Sequence, residues 1–516
     1  MKGSAKRIFW NALLLTAATL LVRTVSVTFG VYISNLAGAE AMGLFSLMSG
    51  VYGFALTLAT SGIHLGVTHT VVEAMEREGG ARVRLVMRRA VAYALFFGTL
   101  ASALLIGFAR PIGLYWLKDA RTVTSLRLFG ITLPLIALSS ALGGYFTAVR
   151  RTYKSAAVQV AEQGVKIGAT MYLLAWLTRG GIERTLSALV LGGAIAELSS
   201  FLINLLLYLT DRHRHLPSVE RVAPKGEGRR LLRIALPVAL AAYVRSGLIT
   251  LEHVLIPEGL RNSGASHAAA LSAYGSIQGM ALPIILYPAA LISAFSGLLV
   301  PELAECQVKG SQCRIRYMIS RVWWLALLFS IGVAGILICF SAELGEALYP
   351  NTDTGYYIRL FAPLIPIMYV DTATDAMMKG LGEQVYSMNV NILDALLSVV
   401  MVWLLVPRMG IVGYLITVYF SETFNTVVSI THLLSISKTR VRLIKWVYKP
   451  LFSVVAATSL ARAVFLALPP VSRTGWSLVL HCGVTLALYL AFLLLTGCLD
   501  RDDRAWLASL FEPNKS

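Results

Sequence analysis

Length, composition and charge together exclude an ordinary soluble protein. Of the 516 residues, 57% are hydrophobic and only 14% are charged, whereas soluble domains carry about 25% charged residues. The mean hydropathy is +0.70. The net charge of +18 would suit a nucleic-acid partner, but its distribution along the chain indicates a membrane surface instead.

Apolar runs recur along the whole chain, and each is long enough to cross roughly 30 Å of hydrocarbon. We therefore predict an all-α polytopic membrane protein with about 14 transmembrane helices. The first run is longer than the core of a cleavable signal peptide, so it is interpreted as the first span. The predicted spans, in chain order, are 8–36, 41–70, 86–109, 123–149, 155–178, 185–210, 232–257, 268–300, 318–341, 357–380, 386–406, 410–436, 447–468 and 475–498.

Positive charge lies mainly on one side of these spans. With the N-terminus inside, the inner segments hold 31 of the 45 Lys and Arg residues and the outer loops hold 10. The positive-inside rule therefore predicts a multi-pass protein of the cell membrane with both termini in the cytoplasm. Most of this charge then faces anionic lipid of the inner leaflet, and no nucleic acid is predicted as a partner.

The chain divides into two similar halves around a basic linker. "GLFSLMSG" (43–50) is similar to "SAYGSIQG" (272–279), and "AELSSFLIN" (196–204) to "SETFNTVVS" (421–429). Six spans separate the halves, so the repeat is parallel and two lobes enclose a central cavity. The predicted domains are an N-lobe of six helices (1–210), a cytoplasmic linker (211–231), a C-lobe of six helices (232–436), and two further helices with a cytoplasmic tail (437–516).

Polar side chains form stripes along several spans, and Arg23 stands in the middle of one. Thr16, Thr19, Arg23, Ser26 and Gly30 recur at steps of three and four, which is one face of a helix. An intramembrane charge that faces lipid costs about 2.5–3.5 kcal/mol. This face is therefore expected to meet protein or water.

Arg23 and Arg245 occupy matching places in the first and seventh spans. Because a guanidinium binds phosphate oxygens in bidentate fashion, we expect both to line a wet cavity and to meet an anion. The alternative for the arginines is a buried ion pair with Glu252 or another acid. For Glu162 and Lys166 the alternative is an i, i+4 ion pair that holds helices together. The candidate substrate-binding residues share an intramembrane position and polar character: Arg23, Ser26, His64, Glu162, Lys166, Arg245, Glu252 and Asn425.

Acidic residues in spans 10 and 11 form a second candidate group. Asp371 and Asp375 lie on one face of span 10, and Asp394 lies near Asn391 on span 11. Carboxylate and amide oxygens could hold Na⁺ or a transferable proton, so these four residues are candidates for ion coupling. The alternative is hydrogen bonding between helices. The five cysteines form no CxxC pair and no cluster has zinc spacing, so neither a metal site nor a cofactor is predicted.

Four stretches of the sequence resemble the stage V sporulation protein B family. They are "LGGYFTAVRRTYKSAAVQVAEQGVKI" (142–167), "LGVTHTVVEA" (65–74), "LLVPELAE" (298–305) and "SAELGEALYPNTDTGYYIRLFAPLIPIMYVD" (341–371). That family belongs to the multidrug/oligosaccharidyl-lipid/polysaccharide exporter superfamily, beside the lipid II flippase MurJ. The resemblance implies two six-helix lobes, with helices 13 and 14 forming a groove that faces lipid.

The resemblance also implies flipping of an undecaprenyl-pyrophosphate-linked saccharide, such as a peptidoglycan precursor. Arg23 matches the family's first-helix cavity arginine, and Asp394 is similar to a helix 11 acid of the sodium site in some MurJ proteins. The sequence departs from Gram-negative MurJ proteins, which carry arginines on helices 2 and 8. The comparable stretches here, "SLMSGVYG" and "AYGSIQGM", have none.

The predicted function is alternating-access transport of a lipid-linked saccharide from the inner to the outer leaflet by a monomer in contact with membrane lipids. One alternative is an ion-coupled drug or cation antiporter of the same superfamily, which the membrane acids favour and the arginines oppose. The other is a polyprenyl-dependent membrane glycosyltransferase. We do not predict an enzyme, because the outer loops are short and combine no carboxylate pair with a metal motif.

Overall fold

A computed structural model describes residues 2–78, 83–177, 181–215, 227–350, 352–439, 441–467 and 475–498 of the chain. All regular structure in these residues is helical, which confirms the predicted all-α class. Residues 216–226 of the predicted linker and 499–516 of the predicted tail lie outside the described residues.

The helices alternate with short connections. They are α1 (Lys2–Thr60), α2 (Ile63–Glu78), α3 (Val83–Pro111), α4 (Thr122–Ala148), α5 (Thr152–Leu177), α6 (Ile182–His215), α7 (Glu227–Asn262), α8 (His267–Gly275), α9 (Leu282–Leu286), α10 (Ala289–Val308), α11 (Gln312–Cys339), α12 (Ser341–Leu348), α13 (Thr354–Phe361), α14 (Ile365–Gly380), α15 (Gln384–Met409), α16 (Ile411–Ser437), α17 (Lys449–Ala467) and α18 (Gly475–Leu495). Among the connections are π-helical turns at Ile112–Trp116, Ser276–Ala281 and Ile444–Tyr448, and a 3-10 turn at Ala362–Leu364.

In the described part of the chain, 11 helical segments are long and apolar enough to cross a membrane. The chain is therefore a multi-pass membrane protein. The first segment, Thr19–Glu76, has 58 residues, well beyond the roughly 20 that one crossing needs. It contains a backbone break at Gly38, whose φ of 82° suits a glycine. The predicted total of 14 spans stays a prediction.

Proline divides two of the predicted spans into shorter helices. Residues 268–300 form α8, a π-helical turn, α9 with Pro283 in its first turn, and α10 after Pro288. Residues 357–380 form the end of α13, a 3-10 turn and α14, with Pro363 and Pro366 near the junctions. Proline removes a backbone donor and disfavours a helical residue before it, which accounts for both interruptions.

The described helices divide into two compact units. The first consists of Met1–Gly275 with Ala395–Thr417, and the second of Ser276–Asp394 with Val418–Ser516. The division between six-helix lobes expected at residues 211–231 stays a prediction.

Close helix approaches at glycine organise the first unit. A Cβ added at Gly43 of α1 would collide with the Leu271 carbonyl of α8, and one at Gly275 would collide with the Ala39 carbonyl. A Cβ at Gly98 of α3 would come within 2.8 Å of the Pro134 backbone in α4. Small residues permit such approaches between membrane helices, where side chains would otherwise hold the backbones apart.

The second unit is built around α11. Trp323 of α11 donates a 3.0 Å hydrogen bond to Thr374 of α14, and Tyr489 of α18 donates a 2.8 Å bond to the Leu328 carbonyl. An apolar cluster with Ile331, Val454 and Leu493 as members joins α11 to α17 and α18. The two helices at the C-terminal end of the described chain are thus attached through buried apolar contacts.

Candidate functional site

Both candidate arginines lie in the first compact unit, and both side chains are exposed. Arg23 is on α1 and Arg245 is on α7. Ser26, one turn after Arg23, is half-buried. Exposure alone leaves their role as substrate-binding residues a prediction.

Hydroxyl groups join α1 to α7 near Arg245. Thr57 donates to Ser246 at 3.2 Å, and Thr250 donates to the Gly50 carbonyl at 2.9 Å. A further hydrogen bond joins Ser61 to Tyr243. These contacts fix the helix that carries Arg245 against α1.

His64 of α2 lies against the end of α4. Its Nδ1 is 3.3 Å from the Ser140 carbonyl, and its Nε2 is 3.5 Å from the Thr147 hydroxyl. A Cβ added at Gly143 would contact the ring. The imidazole remains exposed, so it is positioned by α4 and accessible at the same time.

Glu162 and Lys166 of α5 share their surroundings with a third charge, Glu197 of α6. The negative charge of Glu162 repels that of Glu197, and Lys166 attracts it. Glu162 and Glu197 are half-buried, while Lys166 is exposed. Glu197 was not among the sequence candidates, although its place in the repeated segment 196–204 is a signal that could have identified it.

Glu252 of α7 accepts a 2.7 Å hydrogen bond from Ser398 of α15. The two residues are 146 positions apart. Periodicity within one helix carries no information about a partner on another, so the sequence did not indicate this contact.

Two acids of the second unit converge on α16. Asp394 of α15 accepts a 2.7 Å hydrogen bond from Ser421, and Asp371 of α14 lies 3.4 Å from the Asn425 amide nitrogen. Ser421 and Asn425 are four residues apart and therefore share one face of α16. The structure brings together Asp371, Asp394 and Asn425 from three predicted spans.

Asp375 and Asn391 belong to a different cluster. Asp375 accepts hydrogen bonds from Lys379, at 2.6 Å, and from Ser387. The Asn391 amide donates to the Ser387 carbonyl at 2.8 Å. The four ion-coupling candidates thus fall into two groups: Asn391 is bonded to Ser387, whereas Asp394 is bonded to Ser421, despite their proximity in sequence.

A charged cluster in the connection between α3 and α4 lies outside the sequence candidates. Arg121 donates to Asp119 at 2.6 Å and to Glu40 at 2.8 Å, and His267 Nε2 lies 3.3 Å from Asp119. Burial by itself raises the pKa of the Asp119 carboxyl, but hydrogen bonds from Arg121 and His267 outweigh it, so the pKa lies below its ordinary value. The cluster links α1, α4 and α8.

Comparison with solved structures identifies the fold. It is similar to the folds of a lipid II flippase and of a transporter of the multidrug/oligosaccharidyl-lipid/polysaccharide (MOP) superfamily. The lipid II flippase MurJ, in an inward closed conformation, matches with a TM-score of 0.70 at 13% identity, over 95% of this chain and 99% of that one. An inward-facing multidrug resistance MATE transporter of the MOP superfamily matches with a TM-score of 0.60 at 15% identity, over 82% and 100%.

The family follows from the sequence match. Residues 8–299 match the family described as "Polysaccharide biosynthesis protein", and the chain belongs to that family. Stage V sporulation protein B of Bacillus subtilis (strain 168) is 24% identical over 442 residues, which is 84% of each chain. The multidrug resistance protein NorM of Vibrio cholerae is 24% identical over 200 residues, 37% of this chain and 41% of that protein. MurJ is a lipid II flippase and the MATE protein is a transporter, so these comparisons give the glycosyltransferase alternative no support.

Proposed function

We propose that this transporter moves a polyprenyl-pyrophosphate-linked saccharide from the inner to the outer leaflet. The observation that carries the proposal is the pair of exposed arginines, Arg23 and Arg245, within membrane helices of one compact unit. A pyrophosphate group needs cations along its path, and a guanidinium stays ionised there. The likeness to MurJ and to stage V sporulation protein B supports a lipid-linked substrate.

The remaining candidates have supporting roles in this proposal. Ser26 and His64 provide hydrogen bonds to the saccharide, and the charged residues of α5 and α7 position water and sugar hydroxyls. Flipping such a group through bare hydrocarbon would leave many polar groups unsatisfied, at several kcal/mol each. The termini face the cytoplasm, following the distribution of Lys and Arg, and the transporter acts as a monomer.

The test is binding and translocation of an undecaprenyl-pyrophosphate-linked saccharide by the protein in liposomes. We expect Arg23→Ala and Arg245→Ala to lose both activities. Arg462→Ala is the matched control, since Arg462 is a membrane arginine whose guanidinium donates to the Cys339 carbonyl at 3.0 Å. Binding that is indifferent to the first two substitutions would overturn the proposal.

The second candidate function is ion-coupled antiport of a drug or organic cation. The convergence of Asp371 and Asp394 on Ser421 and Asn425 of α16 favours it. The same acids serve Na⁺ or proton coupling of the flippase in the first proposal. Ethidium efflux driven by a Na⁺ or proton gradient, lost in Asp394→Asn and retained in Arg23→Ala, would establish the antiporter instead.

A further inference from the structure

A pocket of about 500 Å³ lies within the first unit between α1, the end of α3, and α7. Its volume falls within the ~300–1,000 Å³ range of ligand pockets. Phe54 and Leu58 line it from α1, and Leu104 and Phe108 line it from α3. None of the candidate residues for the saccharide or the coupling ion lines this pocket.

The pocket surface is almost entirely apolar, which restricts the chemistry of its ligand. Thr250 lines it from α7, but its hydroxyl donates to the carbonyls of Gly50 and Ser246, at 2.9 Å in each case. A sugar or phosphate would lose its hydrogen bonds to water there and gain few in return. Water also fills apolar cavities poorly. The matching ligand is a hydrocarbon chain.

The rim of the pocket carries exposed aromatic side chains. Phe108, Tyr115 and Trp116 are 58%, 76% and 54% exposed, and all three line the pocket. Tyr and Trp are enriched where a protein meets the membrane interface. Directly after Trp116, Lys118 forms an ion pair with Glu258, two turns beyond Thr250 on α7. This pair joins the connection after α3 to α7 at the aromatic end of the pocket.

We propose that this pocket binds one acyl chain of a membrane phospholipid. A single acyl chain suits its volume, whereas an undecaprenyl tail is several times longer. The bound chain contacts Val51 of α1, next to Gly50, and Thr250 of α7, so it stabilises the association of α1 with α7. The site lies beyond the proposed transport function and does not depend on it.

The test uses the full-length protein in liposomes that contain phosphatidylglycerol with a photoreactive diazirine in one acyl chain. After irradiation, mass spectrometry maps the labelled residues. We expect labelling to concentrate on Phe108 and Tyr115, and to fall several-fold in Leu104→Trp, which fills the pocket. Leu100→Trp is the matched control, because Leu100 is an equally exposed leucine one turn away that does not line the pocket.

A second filling variant, Ala55→Leu from α1, keeps the test decisive if Leu104→Trp does not fold. Labelling spread evenly over exposed positions such as Trp176, or unchanged in both filling variants, would overturn the proposal. An excess of undecaprenyl phosphate that displaces the label, where unlabelled phosphatidylglycerol does not, would assign the pocket to a polyprenyl chain and also overturn it. Neither labelling nor its displacement requires transport. Evidence against the proposed transport function would therefore leave the lipid-binding proposal unaffected.

Discussion

At the scale of single residues, Asp211 is the buried acid on which polar side chains of the stretch 142–167 converge. Its side chain is 3% exposed and accepts hydrogen bonds from Tyr145 at 3.0 Å and Lys154 at 2.7 Å, with Arg151 as a third partner. The stretch 142–167, which resembles the stage V sporulation protein B family, thus contains three side chains that converge on one buried carboxylate. This stretch therefore has a structural role at the connection between α4 and α5.

Two adjacent arginines, Arg150 and Arg151, provide a direct test of the contacts around Asp211. We expect Arg151→Gln to lower thermal stability, because it removes a charged partner from a buried acid, whereas Arg150→Gln should change it little, since Arg150 is exposed. Breaking a buried ion pair costs about 3–5 kcal/mol, and the low end applies because Arg151 is partly exposed. Thermal unfolding in detergent measures both variants; equal midpoints would contradict the assignment.

The sequence predicted which helix faces are polar but not which residues meet across helices. The stripes included Glu252, Asp371 and Asp394, since period and polarity are readable within one span. Their partners Ser398, Ser421 and Asn425 come from other spans. Whether a serine reaches a carboxylate depends on helix rotation and approach, which apolar neighbours determine.

At the scale of elements, glycine and proline decide how the helices bend and approach. Pro283 and Pro363 stand where two predicted spans are interrupted, because proline removes a backbone donor. The break at Gly38 falls in the connection that the sequence places between the predicted spans 8–36 and 41–70.

Two glycines of α1 offer a matched pair for the helix approach. We expect Gly43→Ala to destabilise the protein, because the added Cβ meets the α8 backbone, and such overpacking costs about 1–3 kcal/mol. Gly53→Ala should be neutral or slightly stabilising, since no atom lies within 4 Å of its added Cβ. Differential scanning fluorimetry compares the two; equal losses would argue against a tight α1–α8 contact.

The charged cluster between α1, α4 and α8 predicts a dependence of stability on pH. Because the pKa of Asp119 is lowered in the folded protein, its ionised form contributes stability above the ordinary pKa of ~3.9. This contribution is lost as the pH falls through the lower, folded pKa. The stability difference between the protein and Asp119→Asn should therefore shrink as the pH is lowered from 6 toward the acid limit.

The control for that experiment is Asp353→Asn, since Asp353 is an exposed acid in another connection. Its difference from the unsubstituted protein should stay small at every pH. A stability difference between the protein and Asp119→Asn that is the same at every pH would mean that the carboxylate charge contributes nothing to stability.

At the scale of the whole molecule, the chain is a multi-pass membrane protein of the polysaccharide biosynthesis family, and its described residues form helices in two compact units. Composition and apolar runs were sufficient to predict an all-α membrane protein, because no other structure accommodates so many long hydrophobic segments. The boundaries of the units were beyond sequence reasoning. Ala395–Thr417 belongs to the first unit, although the repeat assigns it to the second half of the chain.

The proposed orientation predicts which connections are reachable from outside the cell. In a cysteine-free background, Asp353→Cys should react with a membrane-impermeant maleimide in intact cells, and Lys309→Cys should react only after the membrane is opened. Both residues are exposed and lie between helices, so reactivity reports the side of the membrane. The reverse pattern would place the termini outside.

The discontinuous first unit has a consequence for biogenesis. Ala395–Thr417 leaves the ribosome only after the intervening residues 276–394 of the second unit have been made. In the mature protein Gly259 of α7 closely approaches Val406, a neighbour that does not exist while most of the chain is being synthesised. The helices of the first unit that are synthesised early must therefore stay incompletely packed in the bilayer until Ala395–Thr417 is inserted. We expect membrane proteases to degrade a nascent chain arrested before residue 395 faster than one arrested after residue 417.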